Sequence, residues 1–211
     1  MKEQEHLWHR ETVGAQVEEA LLDLQGIQVL SRFYLAGGTG LALHLGHRRS
    51  VDLDFFSGQA FDEAALLQKI QNLAEFSLAA KQPGTIHAQI RRVKVSFLTY
   101  TYPVLFPFET FLGVNVADPR DIACMKVSAI ASRGAKRDFV DLYTVSQQHG
   151  LGQILGWFAN KFARANYSKV HVLKSLTYFE EAEQDPMPDM LATLNWQEVK
   201  RFFLAEAPRL L

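Results

Sequence analysis

The sequence predicts an α+β protein: a mixed β-sheet flanked by helices, followed by a region that stays helical to the end of the chain. Three observations carry that expectation. Residues 33–56 set a strand, a glycine turn, a short helix and a second strand in quick succession. Between Phe76 and Val116 the apolar residues recur with a period of two, and from Ala117 onward the period is helical. The change near residue 116 predicts two regions, a sheet-bearing core over 1–116 and a helical region over 117–211 packed on that core.

Each element has its own local reason. Leu7, Trp8, Val17, Leu21 and Leu24 recur at roughly helical spacing with Glu and Gln between them, which predicts an amphipathic helix over residues 3–25. Phe33, Tyr34, Leu35 and Ala36 suit a short buried strand. Gly37 and Gly38 interrupt it, Thr39 is a candidate helix cap, and Leu41, Ala42, Leu43 and Leu45 support a helix that Gly46 ends. After the basic cluster His47, Arg48, Arg49, the alternation Val51, Asp52, Leu53, Asp54, Phe55 predicts a second strand with Asp52 and Asp54 on one face. A helix is expected from Phe61 to about Leu73, with acids in its first turn. The segments FSLAAKQ, TIHAQIR, VKVSFLTY and ETFLGVNV, divided by Pro83-Gly84, Arg91-Arg92 and a proline-marked stretch, predict three or four further strands. Asp118, Pro119 and Asp121 spell a helix start: a cap, a proline at the first position and an acid at the third. That helix should reach about Ser132, the next begins at Lys136, and others are expected near 151–164, 168–182 and 195–205.

The first unit of this pattern carries the chemistry. Two carboxylates side by side on a strand repel each other, and oxygen-only ligands of this kind suit magnesium or manganese. A strand that passes through Gly37-Gly38-Thr39 into a helix start offers bare backbone N–H groups and the positive end of a helix dipole, which favours phosphate. A nucleoside triphosphate and its metal would fit between the two features. The plainer alternatives are solvated acids on an edge strand, a glycine pair as ordinary punctuation, and Ser50 as a turn residue. Val51, Leu53, Phe55 and Phe56 argue against a wholly exposed strand. Arg48 and Arg49 are surface charges by default, with a phosphate contact open to them because the acids are near.

The run GGTGLALHLGHRRSVDLDFF, with residues 40–51 separating Thr39 from Asp52, resembles the AbiEii/AbiGii toxin family of the nucleotidyltransferase superfamily. Lys126, followed by Asp138-x-x-Asp141, is similar to later motifs of the same family, so the resemblance covers about residues 33–145. It implies a nucleotidyltransferase-type sheet and a metal-dependent transfer of a nucleoside monophosphate from an NTP to a hydroxyl, with release of pyrophosphate. In that scheme Asp52 and Asp54 hold Mg2+ or Mn2+, while Gly37, Gly38, Thr39 and Ser50 meet the phosphates. Lys126 is the implied phosphate clamp, and Asp138 or Asp141 acts as base or completes the catalytic cluster. Without the resemblance, Lys126 is a lysine reaching for water, and Asp138 and Asp141 cap a helix or pair with Arg133, Lys136 or Arg137.

The implied acceptor is RNA such as tRNA, with the clusters Arg91-Arg92-Lys94 and Arg133-Lys136-Arg137 as candidate contacts. A separate antitoxin protein, in a toxin–antitoxin or phage-defence setting, is the implied partner. One departure stands out. Many such enzymes carry a third metal-binding carboxylate on a later strand, and Ser96 occupies that place. A catalytically degenerate nucleotide-binding module, or a kinase-like toxin acting on protein, therefore remains as an alternative.

Composition narrows the setting. With 211 residues, 48% hydrophobic and 21% charged, the chain is expected to be globular, and a net charge of −1 argues against coating nucleic acid by bulk electrostatics. The single cysteine, Cys124, precludes an internal disulfide, and there is no apolar run of about eighteen residues or signal-like start, so a cytoplasmic protein with no membrane association is expected. His44, His47 and His87 have no zinc-like spacing and are expected to be structural, as is Cys124. The glycine turn lacks the Gly-Lys-Ser/Thr ending of a P-loop.

Overall fold

Seven strands among the described residues form one mixed sheet: β1 (Tyr34–Ala36), β2 (Leu53–Ser57), β3 (Ser77–Gln82), β4 (Thr85–Ile90), β5 (Val93–Thr99), β6 (Glu109–Phe111) and β7 (Val114–Val116), in the order β3-β4-β5-β2-β1-β7-β6. β2 runs antiparallel to β1 and parallel to β5, and β1 is parallel to β7. The computed structural model describes residues 7–211 and divides them into two compact units. The first runs to Pro103 and resumes over Pro107–Asp118; the second comprises Val104–Phe106 and Pro119–Leu211.

In the first unit, the alternation along β2 and β5 turns Leu53, Phe55, Val95 and Phe97 inward, where they join Val17, Leu21 and Leu24 of α1 (Ala15–Gly26) and Leu66 and Ile70 of α3 (Glu63–Ile70). Phe97 anchors this core, with Phe55 stacked at 5.4 Å and Phe33 edge-on at 5.1 Å. The same alternation turns Asp54 and Phe56 to the opposite face. Asp62 caps α3, accepting from Ala64 N at 2.9 Å and Ala65 N at 3.0 Å.

Several boundaries differ from the sequence expectation. The leading helix begins at Ala15, not residue 3, because Val13 is extended and the preceding segment is pinned by longer-range bonds: Trp8 Nε1 donates to the Thr110 carbonyl, and His9 N to the Leu43 carbonyl. The part of the expected helix over residues 3–6 lies outside the described residues. The segment ETFLGVNV is a hairpin of two strands, because Leu112 and Gly113 both take positive φ and close a two-residue turn. Arg91 and Arg92 do the same between β4 and β5. Arg91 is thereby drawn to Asp23 at 2.7 Å and Glu19 at 3.0 Å on α1.

The second unit is helical: α4 (Pro119–Ser132), α5 (Lys136–His149), α6 (Leu151–Lys161), α7 (Lys169–Ser175), α8 (Glu180–Gln184) and α9 (Trp196–Glu206). The helix expected over 168–182 is two helices, parted after Ser175. Phe139 of α5 sits at the centre, in ring contact with Phe179, Trp196 and Phe203. Among the described residues no helix is long and apolar enough to cross a membrane.

Asp121 stands in the first turn of α4, as the sequence predicts, and does more than complement the helix start. It is buried, accepts from Leu105 N and Phe106 N at 3.0 and 2.9 Å, and meets Lys161 Nζ at 2.7 Å. One carboxylate thus ties the loop 104–106 and α6 to the first turn of α4. Removing one member of a buried ion pair costs about 3–5 kcal/mol because the other charge stays desolvated. Asp121→Ala is therefore expected to lower the free energy of unfolding obtained from urea titration by an amount in that range, whereas Arg209→Ala, at an exposed pair with Glu206, should cost under about 1 kcal/mol.

Candidate active site

β1 ends at Ala36, and Gly37 turns the chain with φ +65° into α2 (Gly37–Leu45), which Gly46 closes with the same left-handed φ. The helix starts three residues earlier than a Thr39 cap would have it. Thr39 is buried inside the first turn, where its hydroxyl lies 2.9 Å from Ser50 Oγ and donates to the Asp52 carbonyl. A hydroxyl has one proton, so with that proton on the carbonyl it accepts from Ser50. Thr39 thus staples the glycine turn to the segment that leads into β2.

The two acids follow from that staple. β2 begins at Leu53, so Asp52 sits just before the strand and Asp54 within it, aligned with Ala36 of β1. Both are partly exposed. The Asp54 carboxylate fills the space behind Gly37: a Cβ at residue 37 would lie 2.9 Å from Asp54 Oδ2. The glycine is needed twice, for its backbone angle and for this approach. At Gly38 the neighbour is a cation, since a Cβ there would lie 2.4 Å from Arg48 Nη2 and 3.2 Å from Ser50 Oγ.

Arg48 is a correction to the sequence expectation. It is buried, its guanidinium lies against Gly38, and Nη1 donates to the Arg49 carbonyl at 3.0 Å; Arg49 itself is exposed. The first unit therefore brings together Gly37, Gly38, Thr39, Ser50, Asp52 and Asp54, with a buried guanidinium beside the turn. Asp52 also borders a cavity of about 350 Å³ with Lys94 and Arg92 on its rim.

The Asp54 carboxylate is partly open to solvent beside a helix N-terminus, and Asp52, also partly open, is tied to that turn through its main-chain carbonyl; hard oxygen donors of this kind are of the type that suits magnesium or manganese. Ser96 is aligned with Asp54 on the neighbouring strand and hydrogen-bonded to His87 Nδ1 at 3.1 Å. His87 therefore stands in the same row as Asp54, which its position in the sequence did not signal.

Lys126, Asp138 and Asp141 come together in the second unit. Lys126 Nζ lies 2.8 Å from Asp138 Oδ1 and 2.7 Å from Asp141 Oδ2, all three residues are buried, and Arg133 Nε reaches Asp138 Oδ2 at 3.2 Å. The i, i+3 spacing on α5 sets both carboxylates on one side, so one ammonium and one guanidinium offset two negative charges. Lys136 does not pair with these acids. Its side chain donates to the Asp185 carbonyl, and its backbone N donates to Asp185 Oδ2 at 3.0 Å.

A mixed sheet of this order, with a glycine turn set against the Asp54 carboxylate, is the fold found in nucleotidyltransferase toxins. Solved structures share the fold: MenT4, a nucleotidyltransferase toxin from Mycobacterium tuberculosis H37Rv, is similar with a TM-score of 0.54 at 17% identity, over 92% of this chain and 86% of that one. JHP933 from Helicobacter pylori is similar with a TM-score of 0.51 at 16% identity, over 94% and 93%. An uncharacterized protein from Aquifex aeolicus (strain VF5) is 36% identical over 191 residues, covering 88% of this chain and 91% of its own. The model of the nucleotidyl transferase AbiEii toxin family, of type IV toxin–antitoxin systems, matches residues 21–209. The chain belongs to that family.

The two glycines are expected to respond differently to alanine. Gly37→Ala meets both a left-handed φ, worth about 1–2 kcal/mol, and the Asp54 carboxylate. Gly38→Ala keeps an ordinary φ and meets side-chain atoms alone, the end of the buried Arg48 and the Ser50 hydroxyl, which have to give way. Thermal unfolding of the two variants should show a clear loss of Tm for Gly37→Ala and a smaller one for Gly38→Ala.

Proposed function

We propose that this chain transfers a nucleoside monophosphate from an NTP to a hydroxyl acceptor, with RNA such as tRNA as the leading acceptor class. The observation that supports it best is the juxtaposition of Gly37 with the Asp54 carboxylate, a glycine turn at a helix start set close beside an acid, which is what a bound triphosphate and its metal would need. The triphosphate is seated by the backbone N–H groups of Gly37, Gly38 and Thr39, which have no partner within the helix, with Arg48 supplying positive charge and Ser50 a hydroxyl. Asp52 and Asp54 are the proposed metal ligands. When bound, Mg2+ or Mn2+ would neutralise phosphate charge and polarise the α-phosphate.

The residues of the chain then have little covalent work to do, since in-line displacement depends on positioning and on charge neutralisation. Lys126, the phosphate clamp that the family resemblance implies, is buried and held by Asp138 and Asp141, so these three residues are better read as an ion cluster that packs α4 against α5 within the second unit. Of the basic clusters, Arg91 and Lys136 are occupied by bonds within the protein, which leaves Lys94 and Arg137, both exposed, as the better candidates for RNA phosphates. An antitoxin encoded alongside is the proposed regulatory partner.

The test is incubation with Mg2+, bulk tRNA and each NTP labelled at the α- or the γ-phosphate. Label should pass to tRNA from the α-phosphate alone, EDTA should abolish it, and Asp54→Asn should lower the rate by at least about a hundredfold. Transfer only from the γ-phosphate, to protein, would identify a kinase-like toxin. Nucleotide binding in calorimetry with no transfer to any acceptor would identify a binding module.

A further inference from the structure

Three neighbouring strands place Asp54, Ser96 and His87 in one row across a face of the sheet. Asp54 and Ser96 are aligned partners in the parallel pair β2–β5, and Ser96 and His87 are aligned partners in the antiparallel pair β4–β5. Aligned residues project to the same side, and adjacent strands lie about 4.8 Å apart, so the Ser96 hydroxyl stands one strand away from the Asp54 carboxylate. His87 Nδ1 is 3.1 Å from Ser96 Oγ. Neither Ser96 nor His87 is fully buried. A hydroxyl in hydrogen-bond contact with an imidazole is the arrangement of a nucleophile and its base.

The other hydroxyls near the glycine turn are differently engaged. Thr39 is buried and donates to the Asp52 carbonyl, and Ser50 donates to Thr39. Ser96 is the one in contact with a histidine; it shares a face of the sheet with Asp54 and lies on the flank of that acid opposite Gly37, so the Asp54 carboxylate stands between the glycine turn and the Ser96 hydroxyl.

We propose that Ser96 is a site of self-nucleotidylation. It rests on the transfer activity proposed above, with the protein's own hydroxyl as a second acceptor. The Ser96 O–H proton passes to His87 Nδ1, the Ser96 Oγ–Pα bond forms, and the bond from Pα to the bridging oxygen of the β-phosphate breaks, releasing pyrophosphate. For this His87 carries its resting proton on Nε2, the tautomer selected when Ser96 donates to Nδ1. The product is a phosphodiester between Ser96 and the nucleoside. It fills the space beside Asp54, so the modified chain loses access for a second NTP and self-inactivates over repeated turnover.

The experiment is intact-mass measurement of the full chain after incubation with Mg2+ and each of the four NTPs, beside the tRNA labelling assay run with the same preparations. The expected result is a gain of one nucleoside monophosphate, mapped by peptide sequencing to Ser96. Ser96→Ala should show no gain while still labelling tRNA, and His87→Gln should gain mass about a hundredfold more slowly with its near-UV circular dichroism unchanged. Wild-type protein that labels tRNA but gains no mass overturns self-nucleotidylation alone. So does a modification mapped to another residue, or a His87→Gln variant modified as fast as wild type. Protein that neither labels tRNA nor gains mass overturns the transfer activity together with it.

Discussion

The close approach of Gly37 to the Asp54 carboxylate is the constraint around which the first unit is arranged. A side chain at residue 37 would collide with the acid, and an L-residue there would resist the left-handed angle that turns β1 directly into α2. Because the turn is tight, the free N–H groups of the helix start arrive beside the acid, not a loop's length away. Thr39 then fixes the returning chain by bonding the Asp52 carbonyl, which sets the register from which Asp54 lines up with Ala36. Backbone geometry at one residue, and one buried hydroxyl two residues on, account for most of the placement.

Much of this was legible in the sequence, and the physical reason is locality. The strand, glycine turn, short helix and paired acids are fixed by period, by glycine and by residues within about twenty positions of one another. The same holds for Gly46 as a helix stop and for the family motifs around Lys126, Asp138 and Asp141. What was hidden depended on partners far along the chain. Trp8 looks helical until Thr110 and Phe111 claim its ring, and Asp121, the helix-start acid that it looks like, gives no sign of the amides of 105 and 106 that also reach it. Arg48 carries no local sign that its guanidinium would be buried against Gly38. The break at Arg91-Arg92 was legible from the change of strand, but its geometry was not: two non-glycine residues with positive φ are held there by acids from other elements.

Charge is handled differently in the two units. In the first, the acids of interest are left partly open to solvent, which is what a group that must exchange ligands requires. In the second, lysines 126 and 161 are both buried against carboxylates, so helix packing there is written partly in ion pairs as well as in aromatic contacts around Phe139. Burial with full partnering gives directional specificity at a desolvation cost that apolar residues would avoid. Cys124, close in sequence to Asp121, has its thiol pushed up to about 12 by that burial, which makes it an inert part of α4.

The membership of residues 104–106 in the helical unit has a practical corollary for anyone dissecting this chain. A cut at the junction before Pro119 yields a helical fragment in which the Asp121 carboxylate and Lys161 remain, but the two main-chain amides that complete their environment have gone with the other piece. No single scissile position separates the sheet from the helices cleanly. The short proline-flanked excursion belongs to the helical unit, so its residues are best produced on one continuous polypeptide.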